Sequence, residues 1–388
     1  AHASMLTGML PSKHGVRDNA GYSLAPAHDT VAEAATEFGY STAAFISAFV
    51  LDSSSGIDQG FQLYSDPFHP QDLAKNAAHG EAQIPGIEVI NSATAWWKKP
   101  KGPRFLFVHL YEPHTPWEPE RKWQGDPYRG DVAKADRLLS RLLDVVSEDA
   151  WILLTSDHGE ALWEEGEREH GLLLQRSVTR VPLLIRPPQG HSWSDSWNPL
   201  TPSLTVSSRS IPAQVMRPKE LDPLLDLEPV PDHPQAKWIS ETPVSIIDVA
   251  TTLSAIVGRR IGDGIDLRDW PLLVRDVDRE RELYSETLFP YFHFGWHPLR
   301  SLQQGAFRTV DGGTASTVNW LSLQDLETPS GHIDEINLRF GSELVPPGPS
   351  TGEQAQALEA LGYLSDAQLP PMEQTSDPRR KMPVYLEL

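Results

Sequence analysis

The sequence contains no cysteine. That excludes disulfides, zinc–thiolate sites and a cysteine nucleophile within these 388 residues. Also missing is any apolar run near the ~20 residues that a membrane-spanning helix requires. Positive charge is scarce: 33 Lys and Arg stand against 53 Asp and Glu, a formal net charge of −20. This balance argues against nucleic acid as a partner. It also repels an anionic substrate at long range, so a site for one must be locally positive, as a bound divalent cation would make it. No internal repeat is visible, and the chain opens without an initiator Met or a signal-peptide pattern. Both ends are read as cut.

What is present is an alternation of short apolar runs and helical patterns over residues 1–190, which predicts an α/β domain with a largely parallel central sheet flanked by helices. Ser41–Phe49 reads as a buried strand running into a loop, and Arg104–Leu110, Trp151–Thr155 and Val181–Arg186 as further strands. Between the second and third, Ala135, Leu138, Leu139, Leu142, Leu143 and Val146 recur at helical spacing over Asp131–Val146. Strand, helix, strand in that order predicts a right-handed βαβ unit. Residues 187–237, rich in Pro, Ser and Asp, read as a long surface insertion. A helix at Ser245–Val257 and a strand at Glu282–Thr287 follow. Short strands at Leu299–Gln304, Phe307–Val310 and Asn319–Leu323 predict a small antiparallel subdomain over 291–345. Residues 346–388 read as a helix (Glu353–Leu361), a Pro-rich linker and a final helical stretch at Pro383–Leu388.

Chemistry concentrates after the Trp151–Thr155 strand, in Ser156-Asp157-His158-Gly159-Glu160. Ligand sites of open parallel sheets lie beyond the carboxyl ends of the strands. An Asp-His pair there offers one carboxylate oxygen and one imidazole to the same divalent ion, and Gly159 permits a sharp turn after them. The same residues also fit a strand end followed by a helix N-cap, with Glu160 in the first turn. Two more histidines fall at the same predicted edge: His114 in Tyr111-Glu112-Pro113-His114-Thr115-Pro116-Trp117, and His170 in Glu169-His170-Gly171.

Thr155–Glu160, followed by His170-Gly171 and Arg180-Val181-Pro182-Leu183-Leu184-Ile185, resembles the sulfatase family of the alkaline phosphatase superfamily. Leu6-Thr7-Gly8, with Pro11 and His14-Gly15 after it, resembles the tail of the family's Cys/Ser-x-Pro-Ser-Arg-x-x-x-Leu-Thr-Gly signature. In that register His2 stands where the signature has Arg, and the nucleophile belongs three positions upstream of Ala1. Val244–Ala250, the stretch from Gly295-Trp296 to Phe307-Arg308, and Ala360-Leu361-Gly362-Tyr363-Leu364 are similar to later family segments. The last of these leads into tetratricopeptide repeats in some bacterial members. The resemblance implies an alkaline phosphatase-like fold, with residues 1–290 as a catalytic domain lacking its first strand.

The resemblance further implies hydrolysis of sulfate esters, small-molecule or glycan, by in-line attack. It assigns Asp157 and His158 as ligands of one divalent metal ion, Ca²⁺ ahead of Zn²⁺ or Mn²⁺, whose acidic ligands from the first strand lie upstream of Ala1. His114 and His170 are expected to contact the substrate anion or act as general acids. His2 and Asn19 are expected oxyanion contacts, and Lys13 and Arg17 are cations on the same segment. Ser4 is out of register for a nucleophile and reads as structural. Export to the periplasm or cell exterior is the family's usual case. One departure bears on the substrate: the family's Gly-Lys-Trp-His-Leu-Gly loop is replaced by Phe45-Ile46-Ser47-Ala48-Phe49-Val50, which lacks both Lys and His. The alternatives are a phosphodiesterase or phosphonate monoester hydrolase on the same scaffold, or a non-catalytic sulfatase-like binding protein. Residues 1–388 alone are expected to be inactive.

Overall fold

The computed structural model describes residues 1–19, 21–68, 83–191, 244–269, 281–304, 307–313, 315–319, 325–326, 369–371 and 374–385. Its central feature is a three-stranded parallel sheet in the order β2-β1-β3, formed by β1 (Ser41–Phe45), β2 (Leu63–Ser65) and β3 (Arg104–Val108). The register runs from Ser41 opposite Arg104 to Phe45 opposite Val108, so the carboxyl ends of β1 and β3 lie side by side.

The alternation of side chains along β3 decides the layers. Phe105 and Phe107 pack into a core with Ala3, Leu6, Val31 and Ala250, contributed by α1 (His2–Thr7), α3 (Val31–Glu37) and α7 (Ile247–Val257). Leu106 and Val108 face the opposite core. There Val89, Ile90 and Ala93 of α4 (Gly86–Trp97) meet Leu138 and Leu142 of α5 (Pro127–Leu143). Helices thus cover both faces of the parallel sheet, as the sequence predicts. Local signals fix the helix starts: Thr30 and Glu33 form a reciprocal capping box at α3. At α5, Asp126 caps the Arg129 amide ahead of Pro127 in the first turn. After α1 comes a short α2 (Pro11–His14), whose last residue is buried.

The family-like Leu6-Thr7-Gly8 is a packing device. Leu6 is buried, and the Thr7 hydroxyl donates to the Ala3 carbonyl at 2.7 Å. Gly8 has φ +70°, and a Cβ there would come within 2.9 Å of the Gly262 Cα. Only glycine lets the α1 terminus lie this close to the loop after α7.

One expectation is corrected. The strand–helix–strand order predicts a βαβ unit in which β4 (Ile152–Thr155) joins the parallel sheet. Among the described residues β4 pairs with β5 (Leu183–Arg186) alone, antiparallel, with Thr155 opposite Leu183. Four-residue apolar runs carry no information about strand direction, and the chain between β4 and β5, which includes α6 (Arg176–Thr179), loops out and returns.

The remaining sheet is an antiparallel meander in the order β10-β9-β8-β7-β6. Its strands are β6 (Glu282–Thr287), β7 (Leu299–Gln304), β8 (Phe307–Asp311), β9 (Ala315–Asn319) and β10 (Asp325–Leu326). α8 (Phe289–Phe294) joins β6 to β7, and α9 (Pro378–Tyr385) closes the described chain. The predicted antiparallel region is present and includes a strand at Ala315–Asn319; all but the first residue of the predicted Asn319–Leu323 strand lies outside the described residues. Most of the predicted insertion, the helix at Glu353–Leu361 and the segment Ala360–Leu364 lie outside the described residues, as do 386–388 of the final helix. Among the described residues no helix is long and apolar enough to cross a membrane.

Candidate active site

The loops leaving β3 and β4 at their carboxyl ends converge with the start of α1. After β4 no helix begins, so the N-cap reading of Ser156–Glu160 does not hold. The chain makes a tight turn instead: the Ser156 hydroxyl donates to the His158 carbonyl at 2.5 Å, and the Gly159 amide donates to Val178 at 2.8 Å. A Cβ on Gly159 would lie 1.9 Å from the Ser177 carbonyl oxygen, so this position admits only glycine. The turn fixes Asp157 and His158 just beyond the strand.

Around Asp157 the imidazoles gather. His2 Nδ1 and His158 Nε2 each lie 3.5 Å from the same oxygen, Asp157 Oδ2. His109, the first residue past β3, packs edge-on against His2 with ring centroids 5.0 Å apart. Its amide donates to the Phe45 carbonyl at 2.9 Å, continuing the sheet ladder, while its Nδ1 is buried with no hydrogen-bond partner. On the other side His158 stacks on His170 at 4.0 Å, and His170 meets His114 at 4.9 Å. His114, His158 and His170 thus form one contiguous group, as the sequence predicts.

Hydrogen bonds set the tautomers, because a carbonyl only accepts. His158 Nδ1 donates to the Gly159 carbonyl at 2.9 Å, and His114 Nδ1 to the Thr115 carbonyl at 2.5 Å. His114 Nε2 is left to accept from the Tyr111 hydroxyl at 3.3 Å, whose ring stacks on it at 4.2 Å. His170 Nδ1 sits 3.0 Å from Glu160 Oε1. With Nδ1 engaged in each, the lone pairs of His158 and His170 are on Nε2.

Electrostatics agree with that picture. Burial pushes His2 and His170 down to about 3 and His114 to about 4, and it lowers His109 as well. Burial alone would raise Asp157, but His158, His2 and His109 around it hold its carboxyl below the usual carboxylate range. Burial raises Glu160, against the opposing pull of His114 and His158. At neutral pH the site presents an anionic Asp157 among imidazoles, most of them held neutral.

Asp157 and His158 are adjacent and of the right chemical kind for a divalent ion. Among the described residues, however, no group of three His, Asp or Glu side chains is arranged to hold one metal ion. Two donors do not make a metal site by themselves. The other predicted residues lie in different settings. Lys13 pairs at the surface with Asp263 at 2.9 Å. Arg17 forms a buried two-point contact with Glu286, at 2.9 and 2.5 Å. Asn19 is exposed. Ser4 is buried and bonded to His14, a structural position as expected. Phe45 through Phe49 are core residues, and the Ser47 hydroxyl bonds the Ile84 carbonyl, so this segment supplies no polar group to the cluster. Sequence reasoning missed His109 and Tyr111. The available signal was the run Val108-His109-Leu110-Tyr111, where the first polar residue past a buried strand lies at the ligand edge.

The family model described as Sulfatase matches residues 1–204. The uncharacterized sulfatase YidJ of Escherichia coli (strain K12) is 37% identical over 54 residues, 14% of this chain and 11% of that protein. The chain is thus matched over a small part of that relative's length. Among solved structures, Ps i-CgsB in complex with k-i-k-neocarrahexaose superposes with a TM-score of 0.56 at 14% identity, covering 97% of this chain and 83% of the other. The phosphonate monoester hydrolase of Agrobacterium radiobacter gives 0.56 at 16% identity, covering 87% and 83%. A protein crystallised with its substrate D-glucosamine-2-N,6-O-disulfate gives 0.56 at 13% identity, covering 87% and 85%. These likenesses establish the alkaline phosphatase-like fold.

Proposed function

The chain belongs to the sulfatase family, and on that premise we propose that it is a hydrolase of sulfate esters whose reacting group lies among Asp157, His158, His170, His114, His2 and His109. The observation that carries this reading is the convergence of the β3 and β4 loops on one carboxylate ringed by imidazoles. The substrate is a small-molecule or glycan sulfate ester. By the register of Leu6-Thr7-Gly8, the attacking oxygen belongs three positions ahead of Ala1. Asp157 and His158 are two ligands of one divalent ion, Ca²⁺ before Zn²⁺ or Mn²⁺, completed by acidic residues from the same upstream segment. When bound, that ion supplies positive charge to the ester's non-bridging oxygens.

The chain's own residues then have defined tasks. His2 and His109 offer imidazole nitrogens beside Asp157, and Asn19 is a further oxyanion contact. Lys13 and Arg17 are assigned no more than electrostatic support, since each is already paired. As charge builds on the leaving oxygen, a proton must arrive there. Burial keeps His114 and His170 neutral in the free protein, and the negative charge of a bound ester raises both. His170 ranks ahead of His114 as the donor, because the Glu160 carboxylate at 3.0 Å stabilises its imidazolium. His114 Nε2 is already engaged by Tyr111.

The test is turnover of p-nitrophenyl sulfate by the protein carrying the residues that precede Ala1 in its gene. His170→Gln is expected to lower kcat by about 100-fold or more, and His114→Gln by less. Unchanged turnover in His170→Gln rejects the assignment. Residues 1–388 alone are expected to give no turnover. A second reading, a phosphodiesterase or phosphonate monoester hydrolase, draws on the Phe45–Phe49 segment, which offers no Lys or His to a sulfate group.

A further inference from the structure

His114 and His170 meet at 4.9 Å, yet their ring nitrogens are engaged by groups of opposite kind. Behind His170 stands the Glu160 carboxylate, 3.0 Å from Nδ1. His114 is held instead by Tyr111, the third residue past β3, and the hold has three points. The His114 amide donates to the Tyr111 carbonyl at 2.7 Å, closing a four-residue turn. Across that turn the two rings stack at 4.2 Å, 22° from parallel. The Tyr111 hydroxyl lies 3.3 Å from His114 Nε2, while Nδ1 of the same ring donates to the Thr115 carbonyl at 2.5 Å. Tyr111 is itself seated, because its ring packs against the same core as Phe105 and Phe107.

The consequence follows from what each group can donate and accept. In the neutral ring Nδ1 carries the proton and donates to Thr115, so Nε2 accepts from the Tyr111 hydroxyl. A second proton would sit on Nε2, and the hydroxyl oxygen, which also accepts, would take its hydrogen bond. In neither state does Nε2 serve an ester oxygen. A general acid works only when its proton is aimed at the leaving oxygen. His170 is placed differently: its Nδ1 faces Glu160, and among the described residues no group hydrogen-bonds its Nε2.

We propose that Tyr111 is the positioning residue that divides the work between the two histidines. Its hydroxyl withholds His114 from proton transfer and leaves His170 as the donor to the leaving alcohol. The alcohol's part in this rests on the reading of the cluster as a sulfate ester hydrolase; the hold on His114 does not. Tyr111 touches no reacting atom and acts through His114 alone. Removing its hydroxyl frees Nε2. A free Nε2 takes a proton from solvent and passes it to the leaving oxygen, returning to the ring protonated on Nδ1. His114 then stands in for a missing His170.

The test has two arms. Tyr111→Phe keeps the ring and the turn and removes only the donor. In NMR spectra of the histidine ring nitrogens of residues 1–388, it is expected to move His114 Nε2 to the position of an imidazole nitrogen without a hydrogen bond, while Nδ1 keeps its proton. An unmoved Nε2 overturns the hold. The second arm follows phenol release from phenyl sulfate by the protein carrying the residues that precede Ala1 in its gene. There His170→Gln is expected to lower kcat about 100-fold or more, and adding Tyr111→Phe to restore about tenfold or more of it. A merely structural role for Tyr111 predicts a further loss instead. Absence of that rescue, or an equal gain from Tyr111→Phe with His170 intact, overturns the division between the histidines. If the unaltered protein releases no phenol, the hydrolase reading falls and the division with it, while the Nε2 shift still decides the hold on His114.

Discussion

His170 Nδ1 rests 3.0 Å from Glu160 Oε1, a pairing across ten residues that fixes the ring's orientation and leaves its Nε2 turned away from the carboxylate. A carboxylate behind an imidazole holds the tautomer and stabilises the protonated ring once a negative charge arrives in front of it. Burial keeps His170 down near 3 in the free protein, so it stays neutral across the physiological range. Adding p-nitrophenyl sulfate is expected to move its NMR titration upward, and Glu160→Gln is expected to blunt that movement. A His170 titration that ignores the ester contradicts the pairing's role.

A separate histidine ties stability to pH. The Val16 amide donates to His14 Nδ1 at 3.1 Å, so His14 carries its proton on Nε2, which donates to the Ser4 hydroxyl at 2.9 Å. Protonating Nδ1 breaks the first bond inside the core, and burial lowers His14 to about 3. Between the unfolded value near 6.5 and about 3 the unfolded chain binds the extra proton, so stability is complete above that window and falls as pH falls through it. The loss attributable to His14 is on the order of 5 kcal/mol once pH has fallen through the whole window. Urea titrations of the wild type and His14→Gln from pH 7 to 4 check this. Parallel pH slopes for the two proteins would count against it.

Arg17 and Glu286 form a buried ion pair, with side chains 7% and 4% exposed. Removing one partner leaves the other charge unmatched, so Arg17→Met is expected to cost about 3–5 kcal/mol. The double variant Arg17→Met/Glu286→Leu should recover most of that loss. Chemical denaturation of the two variants gives the answer. If the single variant is as stable as the wild type, Arg17 is free to serve the site directly.

The histidine cluster depends on the turn after β4. Gly159→Ala places a methyl group against the Ser177 carbonyl. This strain is expected to cost about 2 kcal/mol or more and to displace Asp157 and His158. The measurements are a melting curve and the imidazole shifts of His158 and His170. Unmoved shifts would detach the turn from the cluster.

Much of this was legible in the sequence because strands and helices were written in short, regular patterns. Phe105-Leu106-Phe107-Val108 declares a strand with two apolar faces, and the spacing from Ala135 to Leu142 declares the helix that covers one of them. The Asp-His pair and the two loop histidines also declared themselves, by falling at strand ends. Pairing direction did not: Ile152–Thr155 reads the same whether its neighbour is parallel or antiparallel. Nor did the fate of Lys13 and Arg17, whose carboxylate partners Asp263 and Glu286 lie 250 and 269 residues away. His109 was hidden inside what reads as an uninterrupted strand.

Two donors, Asp157 and His158, predict weak metal binding by residues 1–388. Equilibrium dialysis with Ca²⁺ and Mn²⁺ is expected to find no dissociation constant tighter than about 1 mM. Micromolar binding would mean that the ligand set is complete within this chain.

The most direct measurement is the ratio of kcat/KM for p-nitrophenyl sulfate to that for bis(p-nitrophenyl) phosphate, taken on the protein with the residues that precede Ala1 in its gene. A ratio above one, collapsing in both His170→Gln and Asp157→Asn, is the predicted result. A faster phosphodiester reaction, or sulfate turnover untouched by those substitutions, would contradict the proposal that this cluster hydrolyses sulfate esters.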